Sequence, residues 1–166
     1  MRSNWFVRGS GSPVHSQLRQ IADYLLAQEN AAAVNPSSIG TDLLPHLFVL
    51  DVECDPAKPG VQLRIRLVGT AIDQIFRRPL KGRFLEEFIH GPRAEQVVEA
   101  FHHCAETHEP LWLRQVVHLK DRLPRFVEGV VVYLDPERLY GGLIVGDATL
   151  QSAHGSFDRA VISRAS

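Results

Sequence analysis

The sequence has few of the features that mark a secreted or membrane protein. Its 166 residues contain two cysteines, Cys54 and Cys104, which lie far apart along the chain. No run of apolar residues approaches the roughly 18 that a membrane-spanning helix needs. The segment Trp5-Phe6-Val7 is too short to be the apolar core of a signal peptide. We therefore expect a cytoplasmic chain in which both thiols are reduced.

The sequence also lacks an excess of charge of either sign. Its formal net charge is −1 and its pI is about 6.7. Because nucleic-acid-binding surfaces are basic, this balance argues against bulk electrostatic binding of nucleic acid. Hydrophobic residues make up 45% of the chain and charged residues 22%, which is ordinary for a globular protein. At this length we expect one domain with a substantial core.

Apolar residues recur at helical spacing in two long segments. The first segment, residues 17–29, is predicted to be an amphipathic helix, and the second helix is predicted over residues 93–108. Two shorter helical stretches, TAIDQIF and FLEEFI, precede the second long helix. The apolar stripe of the first helix consists of Leu18, Ile21, Ala22, Leu25 and Leu26.

Five segments have the pattern of β-strands. Two of them, HLFVLDVE and VQLRIRLV, precede the short helices, and three follow the second long helix: LWLRQVVHLK, RFVEGVVVYL and RLYGGLIVGDA. The second strand alternates, which places Val61, Leu63, Ile65 and Leu67 on one face. The stretch GVVVY is apolar on both faces and predicts a central strand. The inner helices would cover one face of the sheet, and the N-terminal helix or a partner chain the other.

This order of elements resembles a PAS domain, and more narrowly a bacterial family of stand-alone PAS proteins. The similar stretches are LLPHLFVLDVE, LRIRLVGTAIDQIF and LKGRFLEEF, with ADYLLAQENAAAVNPSSI upstream. The sequence departs from the family pattern after Phe76, where Arg77 and Arg78 replace a glycine and a smaller or polar residue. The resemblance implies an α+β fold with a five-stranded antiparallel sheet, strand order 2-1-5-4-3, helices on one face and an N-terminal helical extension.

The resemblance also divides the chain. The PAS-like domain is expected at residues 46–150, after a helical extension at 15–45. Residues 1–14 are interpreted as a flexible leader or tag, and residues 151–166 as a C-terminal tail. Because no kinase or cyclase fits in the remaining length, any output would pass through a partner protein.

The function implied by the resemblance is that of a regulatory module in bacterial signalling rather than an enzyme. PAS domains commonly bind a small molecule between sheet and helices, and commonly dimerise through an N-terminal helix and the outer sheet face. We therefore expect a homodimer, an unidentified signalling partner and a small apolar ligand. A constitutive dimerisation adaptor without ligand is the alternative.

Three sets of residues are candidates for contacts. The basic stretch RRPLKGR offers an anion site, since arginine suits bidentate binding of oxyanions. The anion-contact candidates are Arg77, Arg78, Lys81 and Arg83, and the dimer-helix candidates are Leu18, Ile21, Leu25 and Leu26. The ligand-pocket candidates are Ile72, Ile75, Phe76, Leu80, Phe84, Phe88, Val97, Phe101 and Trp112.

No catalytic residue, metal site, haem or flavin is expected. In FHHCAETH only Cys104 and His108 share a side of the helix, and two ligands do not make a structural zinc site. The stretch HGSFD contains a histidine, a serine and an aspartate, but in a polar tail rather than on a rigid scaffold. An enzyme would need a buried ionisable side chain in the cleft, and the predicted interior offers none. A metal sensor that uses Cys104 and His108 stays open as an alternative.

Overall fold

The computed structural model describes residues 5–7, 15–89, 94–117, 125–135, 137–147 and 157–164. Three α-helices are present in these segments: α1 (Ser16–Leu26), α2 (Thr70–Phe76) and α3 (Ala94–Thr107). Four short 3-10 turns accompany them, at Ala31–Ala33, Pro36–Ser38, Leu44–His46 and Leu85–Glu87. The strands are β1 (Trp5–Val7), β2 (Leu47–Cys54), β3 (Val61–Val68), β4 (Leu111–Val117), β5 (Arg125–Asp135), β6 (Arg138–Asp147) and β7 (Phe157–Arg164).

The strands form one antiparallel sheet in the order β1-β7-β4-β5-β6-β2-β3. Within it, β2 to β6 lie in the order β3-β2-β6-β5-β4. This arrangement confirms the α+β class and the expected five strands in the order 2-1-5-4-3. It also confirms that the short helices and α3 lie between the second and third of these five strands.

The sheet continues beyond the five expected strands on the β4 side. Strand β7 pairs with β4, and the three residues of β1 pair with the end of β7. Both additions fall in segments that the sequence analysis assigned to the leader and the tail. Strand β1 pairs with a strand at the other end of the chain, and β5 and β6 separate β7 from its partner β4 in the sequence. Periodicity within a segment carries no information about such pairings.

The predicted alternation of β3 holds as far as Ile65 and then changes. Val49 pairs with Leu67, whereas the next residue, Leu50, pairs with Ile65, so β3 carries one extra residue at a β-bulge. A bulge shifts the following side chains to the other face. Leu67 is consequently 42% exposed and is no longer on the face of Leu63 and Ile65. The prediction for Leu67 was therefore wrong.

Each face of the sheet carries its own apolar core. The helix-block core lies between the sheet and α2, α3 and the Leu85–Glu87 turn. The α1 core lies on the opposite face, under α1. The buried residues of the helix-block core are Phe48, Leu50, Leu63, Ile65, Ile72, Leu80, Leu85, Phe88, Val97, Ala100, Phe101, Cys104, Ala105, Leu111, Leu113, Val131 and Leu139. Those of the α1 core are Leu18, Ile21, Ala22, Leu25, Leu26, Leu43, Leu47, Trp112, Val130, Val132 and Ile144.

Strand β5 explains why both cores exist. Val130 and Val132 belong to the α1 core, while Val131 between them belongs to the helix-block core. The strand is therefore central and covered on both sides, as its apolar sequence predicted. None of the helices in the described segments is both long and apolar enough to cross a membrane.

Candidate functional site

Helix α1 lies on the outer face of the sheet and buries its whole apolar stripe there. The four dimer-helix candidates Leu18, Ile21, Leu25 and Leu26 are all buried in the α1 core by their own chain. These side chains are therefore not available to a second copy while α1 is docked. A dimer built on them requires α1 to leave its sheet.

An ion pair between the buried Glu128 and the partly buried Arg114 fixes the beginning of α1 to the sheet. Arg114 on β4 and Glu128 on β5 are directly opposite each other, and the Arg114 Nη2 and Nε atoms lie 2.5 and 3.1 Å from Glu128 Oε2. The other oxygen, Oε1, accepts a hydrogen bond of 2.6 Å from the backbone N–H of His15, the residue that caps α1. The carboxylate thus lies at the positive end of the helix, where negative charge is stabilising.

Glu128 is 2% exposed and is the only charged residue that is buried among those the structure describes. A buried carboxylate is costly unless it is paired and hydrogen-bonded, and this one has both kinds of partner. The sequence analysis missed the pair. The sequence pattern that could have indicated this ion pair is a charged residue inside each of two apolar strands, LWLRQ and RFVEGVVVY.

Trp112 belongs to this region rather than to the predicted ligand pocket. Its side chain is buried in the α1 core, on the face of the sheet opposite to the helix block. The Arg114 guanidinium lies 4.9 Å from the centre of its ring, within cation–π range. The indole Nε1 is buried and has no hydrogen-bond partner among the residues that the structure describes. Assigning Trp112 to the helix side was wrong, because alternation places it opposite Leu111 and Leu113, and these two residues face the helix block.

Most of the other pocket candidates meet in the helix-block core. The rings of Phe76 and Phe88 pack edge to face with their centroids 5.3 Å apart. The centroid of the Phe101 ring lies 5.9 Å from that of Phe48 on β2. Two candidates lie elsewhere. Ile75 is buried outside both cores, and Phe84 is half-buried beneath the Arg64 guanidinium. The candidates that belong to this core or pack against it are Ile72, Phe76, Leu80, Phe88, Val97 and Phe101.

Two consecutive glycines on β6 bring the two cores close together. A Cβ atom at Gly141 would lie 2.3 Å from Cζ of Phe48, in the helix-block core. A Cβ atom at Gly142 would lie 2.8 Å from Cγ2 of Ile21, on α1. Only glycine permits such close approach. A continuous line of contacts therefore runs from Phe101 through Phe48 and β6 to Ile21.

The predicted anion site is a compact basic loop, residues 77–83. Arg78 Nη2 donates to the carbonyl oxygen of Glu87 at 3.0 Å, and Arg83 Nε donates to that of Pro79 at 3.2 Å. Arg77 and Lys81 are exposed, and neither forms an ion pair or a side-chain hydrogen bond with another described residue. Arg77 ends α2 with φ of 54°, a left-handed conformation that favours glycine.

The same loop also covers the edge of the sheet. The backbone N–H of Ile65 donates to the carbonyl oxygen of Arg83, and that of Gly82 donates to the carbonyl oxygen of Ile65, both at 2.8 Å. Exposed edge strands invite pairing with other chains, and this loop blocks β3 from doing so. The loop therefore has a structural role as well as a concentrated charge.

The end of α3 does not bring its histidines and its cysteine to one point. The Cys104 thiol faces the helix-block core, 3.8 Å from the carbonyl oxygen of Val131. Burial, with a smaller contribution from Glu109, raises the pKa of Cys104 to about 12, so the thiol is protonated near neutral pH. His108 is exposed, and its ring stacks on that of Tyr133 with the centroids 3.7 Å apart. Across the described part of the chain, no three histidine, cysteine or acidic residues are grouped to hold a metal ion.

No model of a known protein family matches this chain. A search of curated proteins also returned no match.

Proposed function

We propose that this chain is a PAS-like regulatory module in bacterial signalling, located in the cytoplasm, whose output passes through a partner protein. The observation that supports the proposal is the contact line across the sheet, from Phe101 and Phe48 to Gly141, Gly142 and Ile21. A change of packing in the helix-block core reaches α1 along this line. The proposal includes no catalytic step.

The output in this proposal is the docking equilibrium of α1. When α1 is docked, its apolar stripe and the outer sheet face cover each other. When it is released, both surfaces become available to a partner protein or to a second copy of the chain. A signal can shift this equilibrium only by binding the two states with different affinities. The proposed small apolar ligand would do so from the helix-block core.

Native-state hydrogen exchange of two matched variants tests the contact line. Phe48→Leu shortens the ring that lies against Gly141, whereas Phe88→Leu makes the same change in the same core, next to Phe76 instead. We expect Phe48→Leu to speed exchange of the α1 amides about tenfold, equivalent to about 1.4 kcal/mol. Phe88→Leu should destabilise the core without this local effect.

Two outcomes would count against this mechanism. In the first, both variants change the α1 exchange rates equally. In the second, the α1 amides exchange only through global unfolding, as slowly as the amides of β5 and β6. Elements that move in regulation open with less free energy than the central strands, so separate opening of α1 is a requirement.

A ligand-free dimerisation adaptor remains the alternative, and the packing of aromatic rings in the helix-block core favours it. Native mass spectrometry of the purified chain separates the two functions. Extra mass that is lost on denaturation supports a ligand sensor, and a dimer without extra mass supports the adaptor. A monomer without extra mass would argue against the expected homodimer. Elemental analysis of the same sample tests the metal alternative.

A further inference from the structure

The basic loop, residues 77–83, keeps an arginine where the backbone favours glycine. Arg77 has φ of 54° at the end of α2, and its side chain is exposed. A side chain costs stability in this conformation because its Cβ crowds the backbone. Strained positions of this kind are often functional. Within the described part of the chain the Arg77 guanidinium has no acidic partner. An ion pair that stabilises the fold therefore does not explain why an arginine occupies this position.

The loop is held in place from both sides. Leu80 is completely buried in the helix-block core, and its backbone N–H donates to Asp73 of α2 at 3.1 Å. On the other side, Gly82 and Arg83 are hydrogen-bonded to Ile65 of β3. The backbone that carries the basic side chains is therefore fixed. A ligand that binds them loses little free energy to ordering of the loop.

The acidic side chains next to the loop are engaged in other contacts. Asp73 accepts from the backbone of Leu80, and Glu87 accepts from the backbone of Phe84 at 2.6 Å. The hydrogen bonds of Arg78 and Arg83 go to carbonyl oxygens, which carry no net charge. The loop thus concentrates four positive charges in seven residues of a chain whose net charge is −1.

We propose that the basic loop is the docking site for an acidic, carboxylate-rich segment of a partner protein. This inference rests on the proposed function, since it names the chemistry of the partner. Arginine binds carboxylates through paired hydrogen bonds, and a fixed group of basic side chains steers an acidic partner to one place. Nucleic acid and anionic membranes suit the site less well, because they favour a strongly basic surface and the chain as a whole is nearly neutral.

Fluorescence anisotropy of a short labelled oligoglutamate peptide with the full chain tests the proposal. We expect binding that weakens as salt is added, and a combined Arg77→Gln and Lys81→Gln variant that binds about tenfold more weakly. Lys58 provides the matched control, because it is exposed in the turn between β2 and β3. Lys58→Gln removes the same charge as Lys81→Gln and should leave the affinity unchanged.

Arg77→Gly separates the role of the side chain from that of the backbone. The substitution removes the left-handed strain together with the charge. We expect the thermal midpoint to rise and the affinity for oligoglutamate to fall in the same variant. A purely structural residue would not show these opposite changes.

Several outcomes would overturn the proposal. They are the absence of oligoglutamate binding at low salt, an equal loss of affinity in Lys58→Gln and Lys81→Gln, and tighter binding to single-stranded DNA or to phosphatidylserine vesicles. Hydrogen exchange in Phe48→Leu needs no peptide. A failed docking site therefore leaves the proposed function standing, and a failed contact line leaves the docking result unchanged.

Discussion

The two faces of the central sheet are covered in different ways. The helix-block core receives side chains from α2, α3, the Leu85–Glu87 turn and the basic loop, as well as from five strands. The α1 core receives the largest group of its covering side chains from one helix of 11 residues. That helix is tied to the sheet by Glu128, which also pairs with Arg114. Several elements thus share the cover of the first core, whereas one helix supplies most of the cover of the second.

This difference bears on the free energy that holds α1 on the sheet. Each Leu or Ile side chain that α1 buries contributes about 1.5–3 kcal/mol, so docking is favourable but depends on few groups. The indole N–H of Trp112 in the same core has no hydrogen-bond partner among the described residues, and a buried donor without a partner is costly. The proposed regulation requires that α1 can be released while the rest of the domain stays folded, because elements that move in regulation open with less free energy than central strands.

The largest expected effect is in the helix-block core. Phe101→Ala removes a ring that packs on Phe48 and leaves a cavity, so we expect a loss of about 3–5 kcal/mol in the free energy of unfolding. Urea denaturation followed by far-UV circular dichroism measures it. A loss below about 1 kcal/mol would contradict the close packing of Phe101 in the helix-block core.

The next effect is at the ion pair that holds α1. Glu128→Gln removes the carboxylate charge that pairs with the mostly buried Arg114 guanidinium, and we expect a loss of about 3 kcal/mol in the free energy of unfolding. A combined Glu128→Gln and Arg114→Met variant is the control, because it removes both charges and should recover part of the stability. Equal stability of the single and combined variants would contradict the assignment of a buried pair.

A smaller effect of opposite sign is expected in the basic loop. Arg77→Gly relieves the left-handed conformation and should raise the free energy of unfolding by about 1 kcal/mol. Thermal denaturation measures the gain. Arg78→Gly is the control, since Arg78 is not among the residues with positive φ and a glycine there should not stabilise the protein. If Arg77→Gly and Arg78→Gly both lower the stability of the protein, the left-handed conformation of Arg77 does not cost stability as we infer.

The smallest effect concerns the two thiols and involves no change in sequence. Cys54 is exposed and Cys104 is buried with a pKa raised to about 12, so iodoacetamide should modify Cys54 alone in the folded protein. Intact-mass measurement before and after denaturation checks this. Because the ordinary thiol pKa is 9.0, the protonated Cys104 contributes stability below that pH, and the contribution is lost as the pH rises towards 12. Rapid modification of both thiols in native buffer would contradict the burial of Cys104.

Local pattern predicted much of the fold correctly. Helix α3 and strands β2, β3 and β4 to β6 lie where periodicity and turn residues placed them, and the resemblance to PAS domains supplied the order of the five strands. The candidate site was predicted less well. Alternation showed that Trp112 and Leu113 face opposite sides of β4, but it does not say which side meets the helix block. The β-bulge that turns Leu67 outward depends on pairing between strands, which no single segment reveals.

The sequence by itself determined the helices, the five central strands, most of the side chains that share a face and the concentration of charge in the basic loop, because these follow from the spacing of neighbouring residues. Tertiary structure alone decided which core each face joins and which charges are paired. The hydrogen bond from His15 to Glu128 joins residues 113 positions apart, and the contact between Ile21 and Gly142 spans a similar distance along the chain. Burial and pairing at that separation arise only when the whole sheet has formed, since each depends on removing both partners from water together.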